Sequence, residues 1–251
     1  MRTKILWLCL FFSFVPFSLF AQYQKEVGTI VAVQGMANID DDTGSALLLA
    51  IVGMKVFLHQ TIQTQDNAKL KLVLRDNNTI VVGANSKVSV SEMFQDPQTS
   101  VFHTNIQLLM GSIWNFVQRK TIKQQYTIYT TGGNAGVRGT EFLVQYEPLK
   151  EQTTVWVQKG TVSLGNSKGE VLVDSGFISR IKTNSKPINP KSVDSQTMKK
   201  AFSFSEIRIG DNNKNIPVES FIFNDPEIQK ILQSLTPDDN ESENPLNENS
   251  E

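Results

Sequence analysis

The amino-acid sequence predicts an all-β domain between Val27 and Lys182, and three observations lead to this prediction. The region consists of short runs rich in β-branched residues, several runs alternate polar and apolar residues with a period of two, and turn-forming residues separate them. No helical period is sustained there over the ~12 residues that a helix needs. Many short strands at regular spacing are typical of a sandwich, a jelly roll or a β-roll, and the pattern leaves these three open.

The predicted strands occupy the segments in which β-branched residues are densest. In chain order they are Thr29–Val33, Lys69–Leu74, Thr79–Val82, Val88–Val90, Gln125–Tyr129, Phe142–Tyr146, Thr154–Gln158, Thr161–Leu164 and Val171–Val173. The connections at Asp76–Asn78, Lys159–Gly160 and Gly165–Gly169 contain residues that tolerate a positive φ, so each is predicted as a hairpin turn.

The first residues have the layout of a secretory signal peptide. Arg2 and Lys4 precede an apolar run that ends at Ala21, lies at the lower end of the ~17–25 residues of a membrane-spanning helix, and contains Pro16. We predict a signal peptide over residues 1–21, with an uncleaved N-terminal anchor as the alternative. No second run of this length follows, so we expect an exported protein, periplasmic, secreted or at the cell surface, without a membrane span after cleavage.

The rest of the composition excludes several classes of function. Cys9 is the only cysteine and lies inside the predicted signal, so the mature chain is expected to have no disulfide, cysteine–zinc site or cysteine nucleophile. The 24 Lys and Arg residues nearly balance the 25 Asp and Glu residues, so we expect no strong electrostatic attraction to nucleic acid or anionic lipid.

Past Lys182 the character of the sequence changes. Two prolines make Lys186–Lys191 a predicted linker, and Asp194 could cap a short helix that ends near Phe202. Asp225-Pro226 predicts the start of a further helix, whose apolar face consists of Ile228, Ile231, Leu232 and Leu235. We therefore assign residues 27–182 to a β domain, 183–235 to a linker and short helical extension, and 236–251 to a disordered acidic tail.

Residues capable of catalysis or metal binding are few. His59 and His103 are the only histidines, and neither lies in a triad or zinc-binding pattern. The run Asp40–Asp42 suggests calcium, but without the spacing of an EF-hand it is interpreted as a solvated loop. Glu141, Glu147 and Asp174 would be the acids of a hydrolase, although nothing in the sequence places two of them ~5–10 Å apart. We predict no enzymatic activity, no cofactor and no metal.

A glycine-rich segment, Thr131–Thr140, superficially resembles a phosphate-binding loop. Its spacing fits neither the P-loop nor the dinucleotide-binding pattern, and a predicted strand follows instead of a helix. We interpret the segment as a loop that fixes the β domain: its four glycines allow positive φ and close backbone approach, and Arg138 is expected to turn inward onto loop carbonyls or Glu141. A ligand contact by Arg138 is the alternative.

The signature Gly136, Val137, Arg138, Gly139, Thr140, Glu141 and Phe142 is similar to that of the FecR-domain family. Other segments match the family in order, namely Gly53–Val56, Thr61–Thr64, Ile106–Trp114, Tyr126–Thr131, Val155–Val162 and Val171–Gly176. The resemblance spans about residues 27–182 and implies an exported β domain. In the founding members, periplasmic ferric-citrate regulators, that domain senses an outer-membrane receptor and relays the signal to a sigma factor.

Only four residues precede the apolar run, so we expect no cytoplasmic anti-sigma segment and a stand-alone FecR-domain protein. The leading hypothesis is a non-catalytic binding or scaffold module of the cell envelope that recognises a protein or a glycan. The alternative is a signalling component that acts in trans on a receptor or a sigma-factor regulator. The oligomeric state is left open.

Overall fold

The computed structural model describes residues 25–40, 47–118, 123–137, 139–203 and 205–207, and most of these form β-strands. In chain order the elements are β1 (Glu26–Gln34), β2 (Ala37–Asp40), β3 (Leu47–Leu49), β4 (Lys55–Phe57), β5 (Thr61–Thr64), β6 (Lys69–Leu74), β7 (Thr79–Val82), β8 (Lys87–Gln95), β9 (Phe102–Phe116), β10 (Gln124–Tyr129), β11 (Asn134–Val137), β12 (Glu141–Glu147), β13 (Gln152–Lys159), β14 (Thr161–Asn166), β15 (Gly169–Asp174), β16 (Phe177–Lys182), β17 (Lys191–Ser192) and the helix α1 (Ser195–Ser203). A 3-10 turn, Pro148–Lys150, joins β12 to β13. The predicted all-β class with a short helix near its C-terminal side is confirmed.

The strands form two open sheets that share one long strand. The first sheet has the order β4-β1-β6-β7-β9-β12-β13-β16-β17. The second has the order β3-β2-β5-β8-β9-β10-β11-β14-β15. The N-terminal part of β9 belongs to the second sheet and its C-terminal part to the first, with Gly111 at a φ of 86° between them. Of these pairings only β9–β10 is parallel.

The core lies between the two sheets. Leu72, Ile80 and Val144 of the first sheet and Val88, Ile106 and Ile128 of the second are buried in one continuous apolar cluster. Inward residues alternate with outward ones along the strands, as in β5, where Ile62 and Thr64 are buried and Thr61 and Gln63 are not. Two open sheets around one core correspond to the sandwich among the three predicted alternatives.

The chain alternates hairpins within a sheet with crossings between the sheets. The pairs β8–β9, β10–β11, β12–β13 and β14–β15 are hairpins. Between them the chain crosses to the other sheet after β11, after β13 and after β15, and Gly139, Gly160 and Gly176 lie at these crossings with positive φ. The predicted Asp76–Asn78 turn joins the paired strands β6 and β7, with Asn77 at a φ of 59°.

Helix α1 covers the outer face of the first sheet. Its first turn is capped by Asp194, whose Oδ1 accepts hydrogen bonds from the N–H groups of Gln196 (3.0 Å) and Thr197 (2.9 Å). Met198, Ala201 and Phe202 pack in a second apolar cluster whose sheet members are Val81, Trp114, Leu143, Trp156 and Ile178. The indole Nε1 of Trp114 donates to the carbonyl oxygen of Ala201 at 3.1 Å, which fixes the last turn of α1 on the sheet.

The segment predicted as a linker, Lys186–Lys191, is hydrogen-bonded to β16. The N–H of Ile188 donates to the carbonyl oxygen of Arg180 at 2.8 Å, and Lys191–Ser192 pairs with β16 as β17. No helix in the described residues is long and apolar enough to cross a membrane. The predicted signal peptide, the helix after Asp225 and the acidic tail lie outside the described residues.

Candidate functional site

The signature segment carries the chain from one sheet to the other. Gly136 and Val137 belong to β11 in the second sheet, and Glu141 and Phe142 belong to β12 in the first. The prediction of a loop over the whole of Thr131–Thr140 is wrong, because Asn134–Val137 pairs with β10 on one side and β14 on the other. Arg138 lies outside the described residues.

Of the four glycines in this segment, only Gly139 has a positive φ, 68°. It lies beside Gly160, whose φ is 86° and where an added Cβ would be 3.0 Å from the carbonyl oxygen of Gly139 and 3.1 Å from Thr140 Oγ1. Lys159–Gly160 was predicted as a hairpin turn, but β13 and β14 belong to different sheets, so it is a second crossing. Two chain crossings therefore lie in contact, and the positive φ of each favours glycine.

Thr140 joins these crossings to the end of β9. Its side chain is buried, its Oγ1 donates to the carbonyl oxygen of Thr161 at 3.3 Å, and its own carbonyl oxygen accepts from the N–H of Val117 at 2.9 Å. The next N–H, of Gln118, donates to Asn78 Oδ1 at 3.0 Å. The signature is thus connected to the β6–β7 turn.

That turn contains a buried polar network centred on Asp76. Asp76 Oδ1 accepts from the N–H of Asn78 (2.9 Å), and Oδ2 accepts from Asn78 Nδ2 (2.8 Å) and from Thr104 Oγ1 (2.8 Å). Tyr126 donates its hydroxyl to Asn115 Oδ1 at 3.0 Å nearby. Burial and, second, the Asp76 carboxylate raise the pKa of Tyr126 well above its usual value, so its phenol stays protonated. These groups fix a corner of the sandwich.

The carboxylates considered for hydrolysis do not form a pair. Glu141 and Glu147 lie at the two ends of β12, about 20 Å apart at ~3.3 Å per residue. Glu141 faces Lys159, with 3.7 Å between Oε1 and Nζ, and Asp174 accepts from Thr161 Oγ1 at 2.8 Å on the second sheet. Each carboxylate has a separate surface partner.

The two histidines occupy unrelated positions. His59 is exposed with a φ of 69°, and His103 stacks on Phe94 with 4.7 Å between ring centroids and 8° between planes. Asp40 ends β2, while Asp41 and Asp42 lie outside the described residues. Over the part of the chain that the structure describes, no three His, Cys, Asp or Glu side chains cluster as metal ligands would.

The sandwich has one covered outer face and one open one. Helix α1 covers the first sheet, whereas no described element packs on the outer face of the second sheet, which we call the open face. A row of hydrogen-bonding side chains crosses it in register, from Thr61 of β5 through Ser89 of β8 and Gln107 of β9 to Tyr129 of β10. Among the described residues, no side chain hydrogen-bonds to the side chains of Gln107 or Tyr129.

Sequence reasoning did not identify the open face. The sequence signal lies in the outward positions of β9, where Asn105 and Gln107 alternate with the buried residues Thr104, Ile106 and Leu108. The parallel register of β9 and β10 aligns Gln107 with Tyr129, and no local pattern predicts that pairing.

Gly136 lies on the open face next to this row. It pairs with Thr127 on one side and Ser163 on the other, its neighbour Ala135 points into the core, and an added Cβ would meet no atom within 4 Å. Its φ is not positive. Neither backbone conformation nor packing within the described chain therefore requires a glycine here.

Residues 60–163 match the family model described as "FecR protein", which confirms the resemblance identified from the signature. The match begins just before β5 and ends in β14, and so includes the signature and the five neighbouring strands β5, β8, β9, β10 and β11 of the open face. A search of curated proteins finds no match.

Two crystal structures of a candidate anti-sigma factor from Parabacteroides distasonis ATCC 8503 are similar to this chain. One, at 1.65 Å resolution, has a TM-score of 0.46 at 15% identity and covers 57% of this chain and 64% of its own. The other, at 2.50 Å, has a TM-score of 0.45 at 16% identity and covers 55% and 62%. The chain thus spans less than two thirds of either crystallised protein.

Proposed function

Starting from the match of residues 60–163 to the FecR family, we propose that this protein is a non-catalytic binding module of the bacterial cell envelope. Its predicted signal peptide would export it, and the open face of the second sheet is the recognition surface. The observation that carries this proposal is that Gly136 lies on this face, although neither its backbone conformation nor its packing in the described chain requires a glycine.

A glycine inside a strand destabilises it by roughly 0.5–1 kcal/mol relative to alanine. Such a residue is commonly found where a strand bends, where φ is positive, or where a ligand or another backbone approaches closely. At Gly136 the φ is not positive, β11 pairs with β10 and β14 without a register shift, and no atom lies within 4 Å of the position that a Cβ would occupy. Close approach of a ligand accounts for its presence.

The side chains around Gly136 favour a glycan over a charged ligand. Gln107 and Asn105 offer amide donors and acceptors, and Tyr129 adds a half-exposed ring that can pack against a sugar. Two carboxylates border these side chains, and each already accepts a hydrogen bond: Glu170 from the hydroxyl of Ser163 beside Gly136, and Glu92 from Asn105 Nδ2 at 2.7 Å. The five neighbouring strands β5, β8, β9, β10 and β11, at a spacing of about 4.8 Å, make a platform about 19 Å wide, which suits an extended polymer.

The test measures retention of the mature chain, residues 22–251, on insoluble envelope glycan. We expect Gly136→Leu to weaken retention by at least about tenfold, because the leucine side chain would occupy the space in which the glycan is proposed to lie. Tyr129→Ala should weaken retention to a similar extent, because it removes the ring that packs against a sugar. Leu149→Ser is the matched control, since Leu149 is fully exposed on the β12–β13 connection. Thermal unfolding would show that all variants fold.

Two results would overturn the glycan proposal. One is equal retention of the wild type and Gly136→Leu. The other is capture of an envelope protein, instead of glycan, that is lost in Gly136→Leu. Failure to retain either ligand would refute the open face as a recognition surface.

The remaining signature residues are proposed to be structural. Gly139 and Thr140 hold the two crossings together, and we extend this role to Arg138 as a clamp of the same corner. Arg138→Ala should then lower the melting temperature by several degrees and leave retention per folded molecule unchanged. A stable variant with weakened binding would instead assign Arg138 to a ligand.

The family match favours one second candidate, a signalling component that acts in trans on a receptor or a sigma-factor regulator. Cross-linking of the tagged protein in its own cells, followed by mass spectrometry, should then capture an outer-membrane receptor or a membrane-anchored regulator. If neither is captured, the signalling candidate is refuted and the binding module remains as the proposed function.

A further inference from the structure

One side of the sandwich exposes a continuous apolar strip. We call it the apolar edge, and its large side chains, 41–62% exposed, are those of Val31, Met36, Leu47, Leu48, Leu49, Ile51 and Val52. They account for seven of the twelve large apolar side chains exposed in the described part of the chain. The strip is therefore not ordinary surface.

Backbone hydrogen bonds show that the apolar edge runs from one sheet to the other. β3 is the last strand of the second sheet and pairs, among the described strands, with β2 only. The N–H of Ala50 donates to the carbonyl oxygen of Ala37 at 2.9 Å, and that of Gly53 donates to Ile30 at 2.8 Å on the first sheet. The edge thus combines exposed apolar side chains with the unpaired side of a strand, a combination that folded proteins usually cover.

The described chain ends beside this edge. Lys69 donates from Nζ to the carbonyl oxygen of Glu206 at 3.0 Å, and Lys69 is paired with Gln34, two residues before Met36. The next residue, Ile207, packs against the cluster under α1 and lines the same groove as Val31. Val31 is therefore part of both the apolar edge and the groove in which the chain leaves the described structure.

The residues that follow have the matching chemistry. The chain continues from residue 208 to residue 251, with Phe221-Ile222-Phe223 first and then the predicted helix with Ile228, Ile231, Leu232 and Leu235. Eleven residues from Ile207 to Val218 span up to about 36 Å when extended, several times the ~10 Å between packed sheets. Length and starting point both allow this segment to reach the apolar edge.

We propose that residues 218–235 of the same chain cover the apolar edge. The arrangement buries the leucines of β3 against the aromatic and aliphatic side chains of the segment, and it blocks edge-to-edge pairing of two molecules. This inference does not depend on the proposed recognition surface, because the polar row begins on β5, two strands away from β3 in the second sheet.

The test places a photo-activated cross-linking amino acid at Leu48 of the full mature chain. An equal mixture of isotope-labelled and unlabelled protein separates links within one chain from links between chains. We expect the major product to join residue 48 to a peptide from 218–235 of the same chain. The same amino acid at Leu172, 63% exposed on β15 at the far edge of the second sheet, is the control and should not capture this peptide.

A second measurement uses hydrogen exchange. Replacing Phe221, Ile222 and Phe223 together by serine should speed amide exchange over residues 47–54 by at least about tenfold and leave exchange in β6 unchanged. Links between labelled and unlabelled chains would instead identify a second copy as the occupant. The proposal would be overturned by links between chains, by the absence of any link from residue 48, or by unchanged amide exchange over residues 47–54.

Discussion

The buried network around Asp76 gives the sharpest prediction for stability. Asp76→Ala removes the acceptor of three hydrogen bonds whose donors, on Asn78 and Thr104, are almost completely buried. An unpaired buried donor costs about 1–3 kcal/mol, and the Thr104 hydroxyl is free to rotate toward another acceptor. We therefore expect a loss of about 3–4 kcal/mol in the free energy of unfolding, or roughly 6–16 °C in melting temperature for a chain of this size.

Urea unfolding of residues 22–251, followed by the fluorescence of the buried Trp114 and Trp156, measures this loss. Asp174→Ala is the matched control, because Asp174 accepts the same kind of hydrogen bond from a threonine hydroxyl at 2.8 Å, but in an exposed position. It should change the free energy of unfolding by less than about 0.5 kcal/mol. Losses for the two variants that agree within about 0.5 kcal/mol would refute the argument that burial of the Asp76 network determines its contribution.

Three further predictions concern single positions. Gly133→Ala should destabilise the fold by about 1–3 kcal/mol, because its Cβ would lie 2.8 Å from a backbone carbonyl oxygen. Gly136→Ala should be neutral or slightly stabilising in the same urea assay, because its Cβ would meet no atom within 4 Å. The reverse order of stabilities would refute this packing argument. The helix cap formed by Asp194 should make stability depend on pH in the acid range, because hydrogen bonds from the Thr197 side chain and backbone lower the pKa of Asp194. The stabilisation from this carboxylate is therefore present above its unfolded-state pKa and is lost as pH falls through its folded-state pKa. Melting temperature should therefore decline less steeply below about pH 4 in Asp194→Asn than in the wild type, and parallel declines would contradict the cap. Because the pKa of Tyr126 is raised, stability should be lost as pH rises above about 10, and Tyr126→Phe should lessen this alkaline loss; ultraviolet titration showing an ordinary phenol in the folded protein would disprove it.

The positions of the strands were largely predictable from the sequence. The predicted Lys69–Leu74 and Thr79–Val82 are strands over the same residues, and the turn between them lies where Asp76–Asn78 indicated. The reason is local: a strand with one buried face must alternate apolar and polar residues with a period of two, and a tight turn needs residues that tolerate positive φ. The signature Gly136–Phe142 likewise indicated, from seven adjacent residues, the family whose model matches residues 60–163.

The sheet to which each strand belongs was decided by the tertiary structure. Nothing in Lys159–Gly160 distinguishes a hairpin turn from a crossing between sheets, because both need a glycine with positive φ and differ only in the partners of the strands that follow. Val137 pairs with Tyr126 and Val162, partners that lie eleven and twenty-five residues away in the chain.

The candidate sites depend on the same nonlocal pairings. Asp76 is a turn residue in the sequence and becomes a buried acceptor only because Thr104, from another strand, packs against it. Gly136 was interpreted as part of a loop, and the pairing of β10, β11 and β14 places it instead on the open face of the second sheet. Local periodicity determines which way a side chain points, whereas the distant strands that pair beside it determine what it faces.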